Sequence, residues 1–174
     1  MEYKKEKSGE TALSEHTRPS KELLSLFQEG YADIDPSKTT VLDFGAGKGR
    51  HSKALRDMGY SVYSYDPYNG AADGNPCREV SAESPNRGRR FGVVFTAFVL
   101  NVVDEDTMRD IVELTEHFTA KGGYTVHIVR EDLRRLKGGC EITKKGTYQR
   151  DIPISQLTAL GYVRKGKLFV KEKR

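Results

Sequence analysis

Val41-Leu42-Asp43-Phe44-Gly45-Ala46-Gly47-Lys48-Gly49-Arg50 is an apolar run that ends in a carboxylate and then carries glycine at every second position. Thr39 to Phe44 has the β-branched, apolar composition of a strand buried on both faces. Lys48 to Met58 consists of helix formers and stops at Gly59, and Tyr60 to Tyr65 is a second strand closed by Asp66-Pro67. Together they predict a βαβ unit with a glycine loop at its first strand-to-helix junction. Glycines there permit positive φ and let the N–H groups at the helix start approach a bound molecule. The spacing differs from the dinucleotide fingerprint G-x-G-x-x-G, because Gly45, Gly47 and Gly49 lie two apart. Asp43 beside the loop would repel a pyrophosphate but not an ammonium or sulfonium. Asp66, at the end of the second strand, is placed to accept hydrogen bonds from both hydroxyls of a ribose. The pair points to a nucleoside with a cationic tail.

Outward from this unit, Pro19, Leu23, Leu24 and Phe27, closed by Gly30, describe a short amphipathic helix before the first strand. On the other side, Tyr68 to Arg90 is mostly loop, with Arg78 to Ala82 as a short strand. Phe91 to Leu100 is the most apolar run and reads as a central strand. Asp104 to Ala120 repeats Met108, Ile111, Val112, Leu114 and Phe118 at helical spacing, and Gly122-Gly123 breaks it. Tyr124 to Val129 is a further strand, Glu131 to Leu136 a helical turn and Ile154 to Leu160 a short helix. Gly161 to Lys171 folds about Gly166 as a hairpin. Strands alternating with helices predict an α/β fold: a doubly wound, mostly parallel sheet with an antiparallel C-terminal hairpin. The 174 residues suit one domain, read here as residues 18–174 behind a mobile N-terminal arm, 1–17, rich in Glu, Lys and Ser.

The net charge of +4 conceals an asymmetry. Up to Ala120 there are 15 basic and 20 acidic residues, and after it 14 and 5. A tail this basic makes nucleic acid a candidate partner, against the plainer reading of a solvated surface. No run approaches a membrane span, and Met1 to Glu10 is charged where a signal peptide would be apolar, so a cytoplasmic protein without membrane contact is expected. Cys77 and Cys140 stand far apart, which predicts reduced thiols. His16, His51, His117 and His127 show no ligand spacing, so no metal is expected.

An acidic residue before G-x-G-x-G, with a second acidic residue closing strand two, resembles the class I S-adenosylmethionine-dependent methyltransferases. The resemblance implies a Rossmann-like fold and S-adenosylmethionine as cofactor. It implies Asp43, Gly45, Ala46, Gly47, Gly49, Arg50, Asp66 and Pro67 as cofactor-binding residues. Asn101 falls where the fourth motif meets the methyl group, which implies both cofactor contact and a catalytic role; its plainer alternative is a polar strand terminus that caps the next helix. A narrower resemblance, to methyltransferases associated with DNA phosphorothioation and their phage-borne relatives, rests on four blocks. They are Arg18-Pro19-Ser20, Tyr65-Asp66-Pro67-Tyr68, Phe98-Val99-Leu100-Asn101-Val102-Val103-Asp104, and Thr143 with Gly146-Thr147-Tyr148-Gln149. Tyr148 is the second catalytic candidate, and Tyr68, Gln149 and Arg150 join it near the acceptor.

The pattern departs from the amino-methylating enzymes, since neither N-P-P-Y nor D-P-P-Y occurs. Cys77 follows Pro76 in a glycine-rich loop, away from the strand end where attack on a cytosine carbon would need it. His51 is a candidate for the cofactor carboxylate with Arg50, against the plainer reading of an ordinary residue of the first helix turn, and His127 is expected to face solvent or a helix. The adenine ring has only Ser81, Ala82 and Glu83 as suppliers of contacts, and none is assigned. The sequence thus predicts methyl transfer to an unidentified acceptor, either nucleic acid or a modified base. The alternatives are a small-molecule methyltransferase, or an inactive cofactor-binding sensor or partner subunit. With little room for a target-recognition domain, target choice is expected from the basic tail, the Tyr68–Arg90 loop, the N-terminal arm or a protein partner.

Overall fold

The β-branched run after Ser37 forms a strand as expected, and most elements around it follow in the predicted order, but the periodicities do not foresee the short strands Cys140–Ile142 and Tyr148–Arg150. The structure, a computed structural model, describes residues 10–13, 16–28, 34–68, 88–130, 136, 139–144 and 146–174. The elements are α1 (Lys21–Gln28), β1 (Thr40–Phe44), α2 (Arg50–Asp57), β2 (Ser61–Tyr65), β3 (Phe91–Ala97), α3 (Glu105–Phe118) and β4 (Thr119–Ile128). They continue with β5 (Cys140–Ile142), β6 (Tyr148–Arg150), α4 (Ile154–Ala159), β7 (Val163–Lys165) and β8 (Leu168–Glu172). Six strands form one sheet in the order β2-β1-β3-β4-β8-β7, and β5 pairs with β6 as a separate antiparallel ribbon.

β1 pairs in parallel with β2 on one side and β3 on the other, and β4 continues the parallel set. β8 joins antiparallel to β4 and returns to β7 across Gly166, which gives the expected C-terminal hairpin. The chain leaves β1 in opposite directions toward β2 and β3. The crevice at their carboxyl ends is therefore the switch point at which open α/β sheets take ligands.

Side chains alternate across the sheet and fix the two helical layers. Leu42, Phe91 and Val94 pack against Met108, Ile111 and Val112 of α3 and Leu157 of α4. Val41, Val93, Phe95 and Val126 pack on the other face against Leu23, Leu26 and Phe27 of α1 and Leu55 of α2. Asp104 caps α3 by accepting from the Thr107 N–H at 2.8 Å, an arrangement that contributes about 1 kcal/mol. At the other end of α3 the Lys173 ammonium donates to the carbonyls of Glu116, His117 and Thr119, where the helix dipole favours a cation.

Three local readings are corrected. The central strand stops at Ala97 and not Leu100, because Phe98 turns into the left-handed region (φ 64°) and Leu100–Val102 forms a 3-10 turn. Gly122-Gly123 does not separate α3 from β4: the strand begins at Thr119 and carries a register shift at the glycines. A Cβ on Gly123 would lie 2.6 Å from the Gly92 carbonyl oxygen, so the close strand approach requires glycine. Leu114 is not core but 40% exposed, on the side of α3 that faces the site described below. Gly30, the strand at Arg78–Ala82, the start of the turn at Glu131, Cys77, and the adenine candidates Ser81, Ala82 and Glu83 lie outside the described residues. Among the described residues no helix is long and apolar enough to cross a membrane.

Candidate active site

A cavity of about 460 Å³ opens at the switch point. One wall is the loop Gly45–Lys48 with Arg50, His51 and Tyr65 to Tyr68. The opposite wall is Phe98, Val99 and Asn101 with Arg130 and Gln149. α3 presents Thr107, Asp110, Ile111 and Leu114 at helical spacing along one side, and Thr11 to Leu13 lie across the loop.

Backbone conformation builds the first wall. Gly45 and Ala46 both donate their N–H to the Tyr65 carbonyl, which folds the loop back onto the end of β2. Gly45 and Gly47 have φ of 82° and 59°, in the region that favours glycine. A Cβ on Gly45 would enter the Val99 side chain, and one on Gly47 would lie 2.9 Å from the Ala12 methyl. Asp66 is buried, with Oδ2 accepting from the Gly47 N–H at 2.8 Å and Oδ1 from the Tyr68 N–H at 2.9 Å. Each carboxylate oxygen has a second lone pair, so two further donors, such as paired ribose hydroxyls, fit it.

Two of the expected cofactor residues stand behind this wall. Asp43 is buried below the loop, where it accepts from the Ser52 hydroxyl at 2.7 Å, and that hydroxyl also meets Ser64. Gly49 is the left-handed residue from which α2 starts (φ 79°). Both shape the loop without lining the cavity. Arg50 does line it, and donates to the Arg18 carbonyl. Its pKa is lowered by burial and by the neighbouring Arg130, against the opposing pull of Asp43. His51 is buried, accepts the Ser20 N–H on Nε2 and is pushed down to about 3 by burial and the Arg50 charge. It is therefore neutral, and a carboxylate at this end would pair with Arg50 and not with His51.

The opposite wall corrects the catalytic candidates. Asn101 lines the cavity, but its amide is engaged with backbone. Nδ2 donates to the carbonyls of Arg130 and Arg150, both at 3.0 Å, and Oδ1 accepts the Arg130 N–H at 2.8 Å. It does not cap α3, which Asp104 does, and both of its amide protons are spent on backbone carbonyls. It ties the end of β3 to the end of β4 and to β6. On β6 the two-residue alternation turns Gln149 into the cavity, and Tyr148 is not among the lining residues. Burial and the neighbouring Cys140 push Tyr148 up to about 12, so its phenol stays protonated near neutrality. Arg150 is buried, with its guanidinium on Gln156 and the Met108 sulfur. Tyr68 lines the cavity as expected.

The sequence reading missed Phe98, Arg130 and the α3 stripe. Phe98 is the one non-glycine residue with positive φ among the described residues, and the Arg130 guanidinium lies 5.6 Å from its ring centroid. Arg130 follows directly on the end of a parallel strand, a position the switch-point rule marks as ligand-facing. The four sequence blocks quoted for the narrower resemblance converge here: Arg18 and Ser20 hold Arg50 and His51, and members of the other three line the cavity or abut it.

Away from the cavity, His127 faces the helices, fully buried between the Thr96 and Tyr162 hydroxyls. Tyr162 gives its proton to Glu116, so Nε2 of His127 carries the hydrogen and Nδ1 accepts from Thr96. Burial pushes His127 down to about 3 and raises Tyr162 far above its ordinary range. In the basic tail, Lys171 pairs with Glu116, Lys167 with Glu22, and Lys173 with the end of α3.

Residues 14–144 match the family profile described as a methyltransferase domain, and the chain belongs to that family. No curated protein sequence matches the chain. Among solved structures, it is similar to the magnesium protoporphyrin IX methyltransferase of Synechocystis PCC 6803 with bound S-adenosylhomocysteine. The TM-score is 0.60 and the identity 16%, over 88% of this chain and 82% of that one. It is also similar to the 1,6-didemethyltoxoflavin-N1-methyltransferase of Burkholderia thailandensis, with a TM-score of 0.59 and 16% identity over 87% and 85% of the two chains. A sugar N-methyltransferase from Streptoalloteichus sp ATCC 53650 gives 0.57 and 14% over 87% and 92%. At these identities the likeness is one of fold.

Proposed function

We propose that this member of the methyltransferase domain family transfers a methyl group from S-adenosylmethionine to a small acceptor bound against the Phe98–Arg130 wall. The observation that carries the reading is the Asp66 carboxylate, set at the end of β2 and held by the N–H groups of Gly47 and Tyr68 beside a side-chain-free loop. When bound, the cofactor supplies an electrophilic methyl on its sulfonium. Gly45, Ala46 and Gly47 would lie along its amino acid part, with Arg50 on the carboxylate. Asp66 would accept both ribose hydroxyls, while Tyr65, Pro67 and the apolar residues of the α3 stripe would flank the adenine. Transfer from a sulfonium is an in-line displacement that gains most from proximity and orientation, so an acceptor that is already nucleophilic needs no general base.

A small acceptor is favoured over nucleic acid because Lys171 and Lys173 of the basic tail pair within the protein, on Glu116 and the end of α3, which takes both out of a phosphate-binding surface. The structural neighbours with named acceptors, a porphyrin, a toxoflavin precursor and a sugar, support the same choice. Calorimetry with S-adenosylmethionine and S-adenosylhomocysteine tests the reading, and undetectable binding at millimolar ligand would sink it. Asp66→Ala should weaken the affinity by about 1.5–3 kcal/mol, roughly 10- to 100-fold.

A further inference from the structure

We propose that Arg130, laid over the Phe98 ring and fixed through its backbone by Asn101, anchors an anionic group, a carboxylate or phosphate, on a small methyl acceptor. The inference rests on the methyltransferase reading above and assigns the substrate class for the same cavity.

Arg130 stands on the wall opposite the glycine loop, at the carboxyl end of β4, beside Gln149. Asn101 holds both its N–H and its carbonyl, so the root of the side chain is set by the fold although the guanidinium end is exposed. The ring below that guanidinium belongs to Phe98, whose backbone is held in the left-handed region (φ 64°) that L residues disfavour. Strain of this kind persists where surrounding structure enforces it, and it collects at ligand sites. The planar guanidinium over this ring offers N–H donors in the fork geometry that matches carboxylate and phosphate oxygens. Among the described residues no carboxylate lies within ion-pair distance of Arg130.

Charge balance points the same way. The described lining residues include Lys48, Arg50 and Arg130 against Asp66 and Asp110, with His51 neutral, and the buried Asp43, whose charge acts on Arg50, brings the site to balance. S-adenosylmethionine itself carries an ammonium and a sulfonium against one carboxylate. Its binding therefore leaves one positive charge uncompensated in a partly desolvated cavity. Arg50, at the start of α2 and tied to Arg18, serves the cofactor carboxylate, and the Arg130 charge helps to lower the Arg50 pKa, so the two guanidinia lie near each other. An anionic acceptor on Arg130 offsets the excess when both ligands are bound.

Benzoate, phenyl phosphate and benzyl alcohol, titrated by NMR into the protein with and without saturating S-adenosylhomocysteine, test the assignment. At least one of the anions should bind more than tenfold tighter than the alcohol, and the stronger of the two identifies the group. Arg130→Met should weaken that anion at least tenfold while the affinity for S-adenosylhomocysteine stays within twofold, which also shows that the variant folds. Arg50→Met should show the converse. Equal binding of anions and alcohol, or anion binding unaffected by Arg130→Met, would overturn the proposal. So would a matching loss of S-adenosylhomocysteine affinity in Arg130→Met, which would put the cofactor carboxylate there. Tighter, Arg130-dependent binding of a 20-nucleotide single-stranded DNA would replace the small acceptor by nucleic acid. If S-adenosylhomocysteine fails to bind the wild type, the methyltransferase reading falls separately, and the anion titrations still decide the role of Arg130.

Discussion

The loop wall of the cavity takes Gly45, Ala46, Gly47 and Arg50 from six consecutive residues, whereas the opposite wall draws Phe98, Arg130 and Gln149 from three segments distant in sequence. The first is a matter of backbone: left-handed glycines, N–H groups turned onto Tyr65 and Asp66, and no side chain where a ligand passes. The second is a matter of assembly, since the three segments meet only because the Asn101 amide bonds to two of them while itself ending the third. A local wall tolerates change anywhere except at its few special dihedrals. An assembled wall depends on the polarity of one side chain.

Asn101→Asp attacks that dependence directly and should have the largest effect. It puts a buried carboxylate against the Arg130 and Arg150 carbonyls, and should cost about 3–5 kcal/mol in a urea titration. A loss below 1 kcal/mol would mean that the far wall holds without the clamp. Gly45→Ala probes the loop wall, where the left-handed backbone and the Val99 side chain both resist a Cβ. The expected loss is about 2–4 kcal/mol, with cofactor affinity falling alongside stability. If cofactor binding survives unchanged, the loop is not the cofactor wall.

The smallest effect separates the walls by pH. His51 on the loop wall and His127 on β4, behind the opposite wall, are both lowered by burial from 6.5 to about 3. The unfolded chain therefore binds protons near pH 6.5 that the folded chain refuses until about pH 3. Stability is fully present above pH 6.5 and falls as the pH drops through that window, by about 1 kcal/mol per histidine at pH 5.5. Thermal midpoints at pH 7.5 and 5.5 should show this, and His51→Gln should remove about half of the slope. An unchanged slope would assign the titration to groups elsewhere.

Much of the sheet was legible because its signals are local. The run to Phe44, the helix after Gly49 and the hairpin about Gly166 lie within a residue or two of their expected places. The strand was read too far at Leu100 because Phe98 carries no turn signal in its type; only the surrounding structure forces it left-handed. Gly122-Gly123 looked like a break, yet a close strand approach uses the same residues. Tyr148 was chosen over Gln149 on chemistry, but facing on β6 is set by register. Leu114 fitted the helical stripe of the core, and only the position of α3 beside the crevice turns it into a cavity residue.

The sequence by itself determined the βαβ unit, the parallel sheet and the loop wall, because strand composition, alternating glycines and a terminal aspartate act over a few residues of chain. The tertiary structure alone decided that Asp43 and Gly49 work from behind the loop, that Asn101 clamps backbone, and that Arg130 and Gln149 face the cavity. The reason is physical: which way a side chain points, and which distant carbonyl meets an amide, depends on strand register and crossover packing, and neither is encoded within reach of the residue concerned.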